Sequence, residues 1–197
     1  MSHLIIKNIN DYQENFYNNT LSIIKKAKQQ KINNLKNDHH RKESILGEYL
    51  LIKTLKRFYH LNYQNINISY NQNNKPYLSN HQIYYSISHS HGLTAIYISS
   101  KKCGIDIQRI QKVDSSIIKS FATLKEQEYI SEKNSLIRLY EIYTLKEAYI
   151  KMIGSNLFNI KSIEFIIKNN QIICNNHHLK ITIKHYKNYL ISICEEL

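Results

Sequence analysis

A chain of 197 residues that is 42% hydrophobic has room for one large domain or two small packed ones with a real core, which excludes wholesale disorder. Its formal net charge of +12 and pI near 9.5 favour an anionic partner: nucleic acid, an acidic protein or a polyphosphate cofactor. Lys, Asn, Ile and Tyr are abundant while Gly, Pro and Trp are scarce, as an A- and T-rich coding bias produces, so part of that charge reflects composition rather than selection.

The first residues, MSHLIIKNIN, lack a basic start followed by an apolar run, and no later stretch approaches the ~20 apolar residues of a membrane span. The chain is therefore expected to be soluble, unexported and cytoplasmic. Cys103, Cys174 and Cys194 are too few and too scattered for a disulfide framework or a zinc site, and read as small buried hydrophobes in a reducing cytosol.

In chain order, Leu4–Ile9 reads as a strand, Tyr12–Lys31 as a basic helix and Glu43–Tyr59 as an amphipathic helix. The polar stretch Asn71–Asn80, which holds the one proline, Pro76, reads as a loop. Ile83–Ser88 and Leu93–Ser99 alternate around the His91-Gly92 corner and predict a hairpin. Gly104–Gln108 reads as a further strand. Leu124–Ser131 and Ser135–Ile153 read as helices, the second ended by Gly154. Strands are expected near Ile160–Ile167, Leu179–His185 and Tyr189–Cys194. Helices and strands mix without βαβ alternation, so the class is α+β.

Three places carry chemistry. In Gly104–Gln108 the pleat puts Ile105 and Ile107 on one face and Asp106 with Gln108 on the other. That face is either a metal or cation site or the watered side of an edge strand. On the helix Ser135–Ile153, Leu136, Tyr140, Tyr143 and Glu147 follow one stripe, with Lys151 one turn beyond Glu147. Glu147 and Lys151 are either a metal ligand beside a phosphate-neutralising lysine or an ordinary i, i+4 ion pair. Ser86–Gly92 offers hydroxyls, an imidazole and backbone N–H groups that suit phosphate, or else forms a polar hairpin rim.

Taken together, the ordered set ISHS at 87–90, GIDIQ at 104–108 and YTLKEAYIK at 143–151 resembles the Sfp-type 4′-phosphopantetheinyl transferases. The similarity runs more weakly from Lys28 through Gly154. It implies two similar α+β halves, 1–101 and 102–197, about a pseudo-twofold axis with coenzyme A between them. It further implies that Asp106 and Glu147 hold Mg²⁺ against the coenzyme A pyrophosphate, with Gln108 or a water completing the shell, and that Lys151 sits at the reacting phosphate. Lys28, Lys31, Ser44, Lys75, Ser88 and His89 match positions that contact the phosphates and adenosine. Glu126 matches a further acidic position near the metal. The reaction implied moves the phosphopantetheine arm onto a serine of an acidic apo carrier protein. Glu147, directly or through a metal-bound water, is the candidate for taking the serine proton, and a monomer without nucleic-acid or membrane partners is expected.

Three residues depart from the family pattern. Gln108 replaces a glutamate, Tyr143 a tryptophan, and Glu43 an arginine whose phosphate contact Arg41 or Lys42 is expected to assume. The competing readings are a catalytically inactive relative that binds coenzyme A or carrier protein, supported by Gln108, and a basic nucleic-acid-binding module.

Overall fold

The computed structural model describes residues 1–70, 72, 75–132, 134–154, 157–168, 171–173 and 178–197; Cys174 and, in the expected loop, Asn71, Asn73 and Asn74 lie outside them. The strands are β1 (Ser2–Asn8), β2 (Ile68–Tyr70), β3 (Pro76–Leu78), β4 (Tyr84–Ser90), β5 (Leu93–Ser99), β6 (Cys103–Arg109), β7 (Ile166–Lys168), β8 (Gln171–Ile173), β9 (Leu179–Tyr186) and β10 (Tyr189–Glu196). The helices are α1 (Glu14–Ile23), α2 (Lys26–Asn33), α3 (Asp38–Tyr59), α4 (Ile118–Phe121), α5 (Leu124–Ser131) and α6 (Ser135–Ile153).

Two three-stranded antiparallel sheets carry the fold, in the orders β1-β5-β4 and β6-β10-β9. The same path is walked twice. A first strand leads through a long helix and a two-stranded ribbon to a hairpin, and the second hairpin strand takes the centre of the sheet. The class is α+β, as the mixed pattern predicts. Apolar residues between the sheets (Leu93, Ala95 and Tyr97 of β5, Ile105 and Ile107 of β6, Ile191 and Ile193 of β10) form a shared core.

Local chemistry sets the element ends. The Asn37 side chain accepts from the His40 backbone N–H and starts α3, which stops at His60 in the left-handed region (φ 54°). Gly154 ends α6 at φ 68°, as expected of a C-cap glycine. His91 (φ 47°) and Gly92 (φ 85°) give the paired positive angles that a two-residue hairpin turn with matching twist requires.

Three expectations are corrected. Within the expected loop Asn71–Asn80, Pro76–Leu78 is strand β3, drawn into an antiparallel ribbon with β2, because a proline at the first residue of a strand leaves the pairing of the next two intact. The helix expected over Tyr12–Lys31 is two helices, because Ile24 and Lys25 are extended (ψ 146° and 138°). No proline or glycine breaks it. Ile24 turns into the core at 3% exposure, and the Gln29 amide donates to the Leu21 and Ile24 carbonyls at 2.8 and 2.7 Å, so tertiary contacts override helix propensity. The strand expected near Ile160–Ile167 is a 3₁₀ turn through Ser162 followed by the short β7. Alternation over so few residues does not separate the two.

Cys103 and Cys194 are buried, and burial pushes the Cys103 thiol up to about 12. Among the described residues no helix is long and apolar enough to cross a membrane.

Candidate active site

The site begins with a close approach of backbones. A Cβ on Gly104 would lie 1.9 Å from the Ala148 carbonyl oxygen and 2.5 Å from the Met152 nitrogen. Only glycine lets β6 run this close beneath α6. The consequence is that Glu147 and Lys151, on the same stretch of α6, hang over the polar face of β6.

There Asp106, 2% exposed, is held from several sides. Its Oδ1 accepts from Lys151 Nζ at 2.7 Å and from Ser88 Oγ at 2.8 Å, and its Oδ2 accepts from Gln108 Nε2 at 3.3 Å. Lys151 also donates to Ser88 Oγ at 2.9 Å. Burial first, and then the Asp106 charge, push the Glu147 carboxyl up against the opposing pull of Lys151 and the Tyr143 hydroxyl. Burial and the Glu147 charge carry Tyr143 up to about 12, so it stays a neutral donor.

The serines of β4 serve a purpose that the sequence reading did not assign. Ser86, Ser88 and Ser90 hydroxyls accept the backbone N–H groups of Ile105, Ile107 and Arg109 at 3.1, 3.3 and 3.2 Å. They stitch β4 to β6 across the two sheets. The i, i+2, i+4 spacing of three buried serines in one strand was the available signal.

A cleft of about 510 Å³ opens beside this cluster and is lined by Lys28, Ser44, Lys75, His89, Glu147 and Lys151 from the expected set. It also takes in Lys25, Glu48, Tyr63, Tyr70 and Tyr85, which the motifs did not point to. Four lysines against two carboxylates make it a positive concavity. Lys75 donates to the Met152 carbonyl at 2.6 Å and the Cys103 carbonyl at 3.1 Å, and burial brings its ammonium down to about 8. Lys28 is paired with Glu48 at 3.1 Å.

Two expected cofactor residues are placed elsewhere. Ser88 lies behind the cleft wall, engaged by Asp106, Lys151 and Ile107. Lys31 packs over the Tyr70 ring at 4.7 Å and reaches the cleft only through it.

Glu126 is likewise a structural acid. It is fully buried, with Oε2 on Lys146 Nζ at 2.6 Å and the Thr123 N–H at 2.8 Å, and Oε1 on the Phe165 N–H at 3.2 Å. Lys146 also donates to the Phe121 carbonyl at 2.7 Å. The lysine of the KEA segment thus holds α5 to α6 rather than facing the cleft.

Glu43 is the surprise of the N-terminal half. Fully buried, it accepts the Gly92 N–H at 2.6 Å through Oε1 and meets His40 and His89 Nδ1 at 3.0 Å each through Oε2. Burial alone would raise its carboxyl, yet hydrogen bonds from His89, Gly92 and His40 bring it down to about 2. Arg41 faces Asp38 at 3.7 Å, Lys42 meets Glu14 at 2.7 Å, and neither lines the cleft.

Comparison with known proteins places these features. The sequence model of the 4′-phosphopantetheinyl transferase superfamily matches residues 102–194, and that of the 4′-phosphopantetheinyl transferase N-terminal region matches residues 11–102. The chain is 32% identical over 160 residues to the 4′-phosphopantetheinyl transferase gsp of Aneurinibacillus migulanus, covering 79% of this chain and 66% of that protein. It is 28% identical over 126 residues to the 4′-phosphopantetheinyl transferase Sfp of Bacillus subtilis, covering 62% of this chain and 55% of that protein. It thus spans between about half and two thirds of the length of these relatives. The crystal structure of Thermotoga maritima holo-[acyl-carrier-protein] synthase aligns at a TM-score of 0.42 and 16% identity, over 48% of this chain and 62% of that one. The chain belongs to the 4′-phosphopantetheinyl transferase superfamily, and its relatives are of the Sfp type.

Proposed function

We propose that the protein transfers the 4′-phosphopantetheine group of coenzyme A to a serine of an apo acyl or peptidyl carrier protein, with Mg²⁺, as a cytoplasmic monomer made of halves 1–101 and 102–197. The observation that carries this reading is the cluster in which Lys151 and Glu147 overhang Asp106 at the mouth of a cleft walled by lysines.

Coenzyme A brings roughly four negative charges, and Lys25, Lys28, Lys75 and Lys151 give the cleft the sign to receive them. Asp106 and Glu147 present oxygen donors of the kind that suit Mg²⁺, and Gln108, which faces Asp106 with its Nε2 while its Oε1 accepts from Ser90, would turn its amide to add a third oxygen. The Asp106 charge acting on Glu147 marks a carboxylate pair whose repulsion a divalent cation relieves. When bound, the ion neutralises charge on the pyrophosphate. Ser88 and Gln108 orient Asp106, and Lys151 lies within reach of both the carboxylate and a bound phosphoryl oxygen.

The carrier serine oxygen forms a bond to the β-phosphorus, the bond to the adenosine-side bridging oxygen breaks, and adenosine 3′,5′-bisphosphate leaves. The serine proton passes to Glu147, whose raised basicity suits a general base. The surplus of positive charge speeds encounter with an acidic carrier and loses that advantage at high salt.

The test is incubation with coenzyme A, Mg²⁺ and purified apo carrier proteins, read by intact mass. A carrier mass gain of one phosphopantetheine arm, abolished by Lys151→Ala and by Asp106→Ala, is the expected result. Gln108, whose amide occupies Asp106 Oδ2 where a family carboxylate would stand, favours an inactive relative as the second reading. Coenzyme A binding without any mass gain across fatty-acid, polyketide and peptide-synthetase carriers selects it.

A further inference from the structure

Glu43 poses a physical problem: a buried carboxylate stands behind the wall of a cleft built for anions. What surrounds it resolves the problem in a particular way. His39 and His40 precede it by four and three residues on α3, so both share its side of the helix. His89 reaches it from β4. The His39, His40 and Glu43 donor atoms all lie within 4.8 Å of one another. Nδ1 of His40 and of His89 are each 3.0 Å from Glu43 Oε2, and His39 Nδ1 is 3.5 Å from Oε1.

We propose that His39, His40 and Glu43 are the core of a transition-metal site, of the class that takes Zn²⁺ and separate from the oxygen site at Asp106 and Glu147, which His89, held on the same carboxylate but outside that close group, turns in to complete when the ion binds. Three imidazole nitrogens and one carboxylate oxygen are a borderline-soft donor set that favours Zn²⁺, Co²⁺ or Ni²⁺ over Mg²⁺. Zinc bonds of about 2.0–2.1 Å put neighbouring tetrahedral ligands roughly 3.3 Å apart; the two contacts to Oε2 at 3.0 Å lie close to that value, and His39, at 3.5 Å from the other oxygen, Oε1, turns toward the ion to join them. The supporting contact exists as well. The Gly92 N–H holds Glu43 Oε1 at 2.6 Å, fixing the carboxylate and leaving Oε2 toward the two closest imidazoles. Access is open, since the His39 and His40 side chains are 47% and 59% exposed while Glu43 is enclosed.

Ligation through Nδ1 assigns the proton of His89 to Nε2, the ring nitrogen left over on a residue that lines the cleft. The metal thereby turns His89 into a fixed donor for an anion. The site itself stands or falls independently of the transferase reading, because it is tested by metal binding alone.

The test uses tag-free full-length protein, stripped with chelator and titrated with Co²⁺ while visible absorption is recorded. One equivalent should produce the intense bands of tetrahedral cobalt, displaced by stoichiometric Zn²⁺ and untouched by excess Mg²⁺. The double variant H39A/H40A removes two exposed ligands and should weaken Co²⁺ binding by about 100-fold or more. Its unchanged circular dichroism would establish that the fold survives. H89A should weaken binding without shifting the competition by Mg²⁺. Absence of a saturable band in the parent protein overturns the proposal, and so does a band that H39A/H40A retains, since the ligands then lie elsewhere.

Discussion

Gly104→Ala tests how the site is assembled. The added methyl would fall 1.9 Å from the Ala148 carbonyl oxygen, 2.5 Å from the Met152 nitrogen and 3.0 Å from the Met152 Cα, all backbone atoms that no rotamer change can move aside. For the first contact to reach even the shortest tolerable separation, α6 must retreat from β6 by about 1 Å. Overpacking of this kind costs about 1–3 kcal/mol, and two backbone clashes place the variant at the upper end. The same retreat lifts Lys151 and Glu147 from Asp106 and stretches the 2.7 Å Lys151–Asp106 contact, and displacement on that scale costs about 100-fold in rate.

Gly47→Ala is the matched control. Its methyl meets the Ile87 Cγ2 at 3.0 Å, the end of a side chain that can give, and alanine gains about 1 kcal/mol inside a helix, so the net change should stay within about 1 kcal/mol of zero. Urea unfolding of both variants, with mass-detected transfer in parallel, gives the comparison. If Gly104→Ala unfolds at the parent midpoint and transfers at the parent rate, the backbone contact is not what holds the site.

Three further outcomes are expected. Lys146→Met leaves Glu126 charged and buried without its partner, and should cost about 3–5 kcal/mol by urea unfolding, whereas Lys146→Met with Glu126→Gln should recover a good part of it. Gln108→Glu adds a third carboxylate beside Asp106 and should lower the Mg²⁺ concentration for half-maximal transfer on the order of tenfold, 1.4 kcal/mol, while lowering stability in chelator; an unchanged metal requirement would remove Gln108 from the metal's surroundings. Lys75, brought down to about 8, loses its charge as pH rises through that value, so coenzyme A affinity by calorimetry should weaken from pH 7 to above pH 8, with the midpoint pushed upward by bound phosphate. Lys75→Met should bind weakly throughout and lose that pH-dependent limb.

What the sequence made readable and what it did not follow a physical line. Periodic helices with local stop signals, such as Ser135–Ile153 closed by Gly154, were legible because their causes lie within a few residues. The Asp106, Glu147 and Lys151 cluster was legible because each residue sits in a short ordered motif, although the contact that joins them belongs to Gly104 and shows only when α6 is laid over β6. The break at Ile24 was hidden since its cause is a core far along the chain, around Ile66, 41 residues from Lys25. Lys25 reaches the Ile66 carbonyl there. Glu126 was expected near the metal because it matches an acidic position of the family the motifs resemble, but its partner Lys146 is twenty positions on and nothing local announces a buried pair. Glu43 looked like a lost arginine, since a hub of His40, His89 and Gly92 needs α3 and the hairpin corner brought together.

The serine stitch between β4 and β6 has a consequence for how the protein behaves in a crowded solution. Both strands are the outer members of their sheets, and an outer strand ordinarily shows a row of unpaired donors that can recruit another chain. Here the Ile105, Ile107 and Arg109 donors are capped by hydroxyls, so the two vulnerable borders conceal each other. A motif read as a phosphate-binding signature also works as protection against aggregation. A chain that lost these serines is expected to self-associate through the uncovered borders while its cleft stays intact.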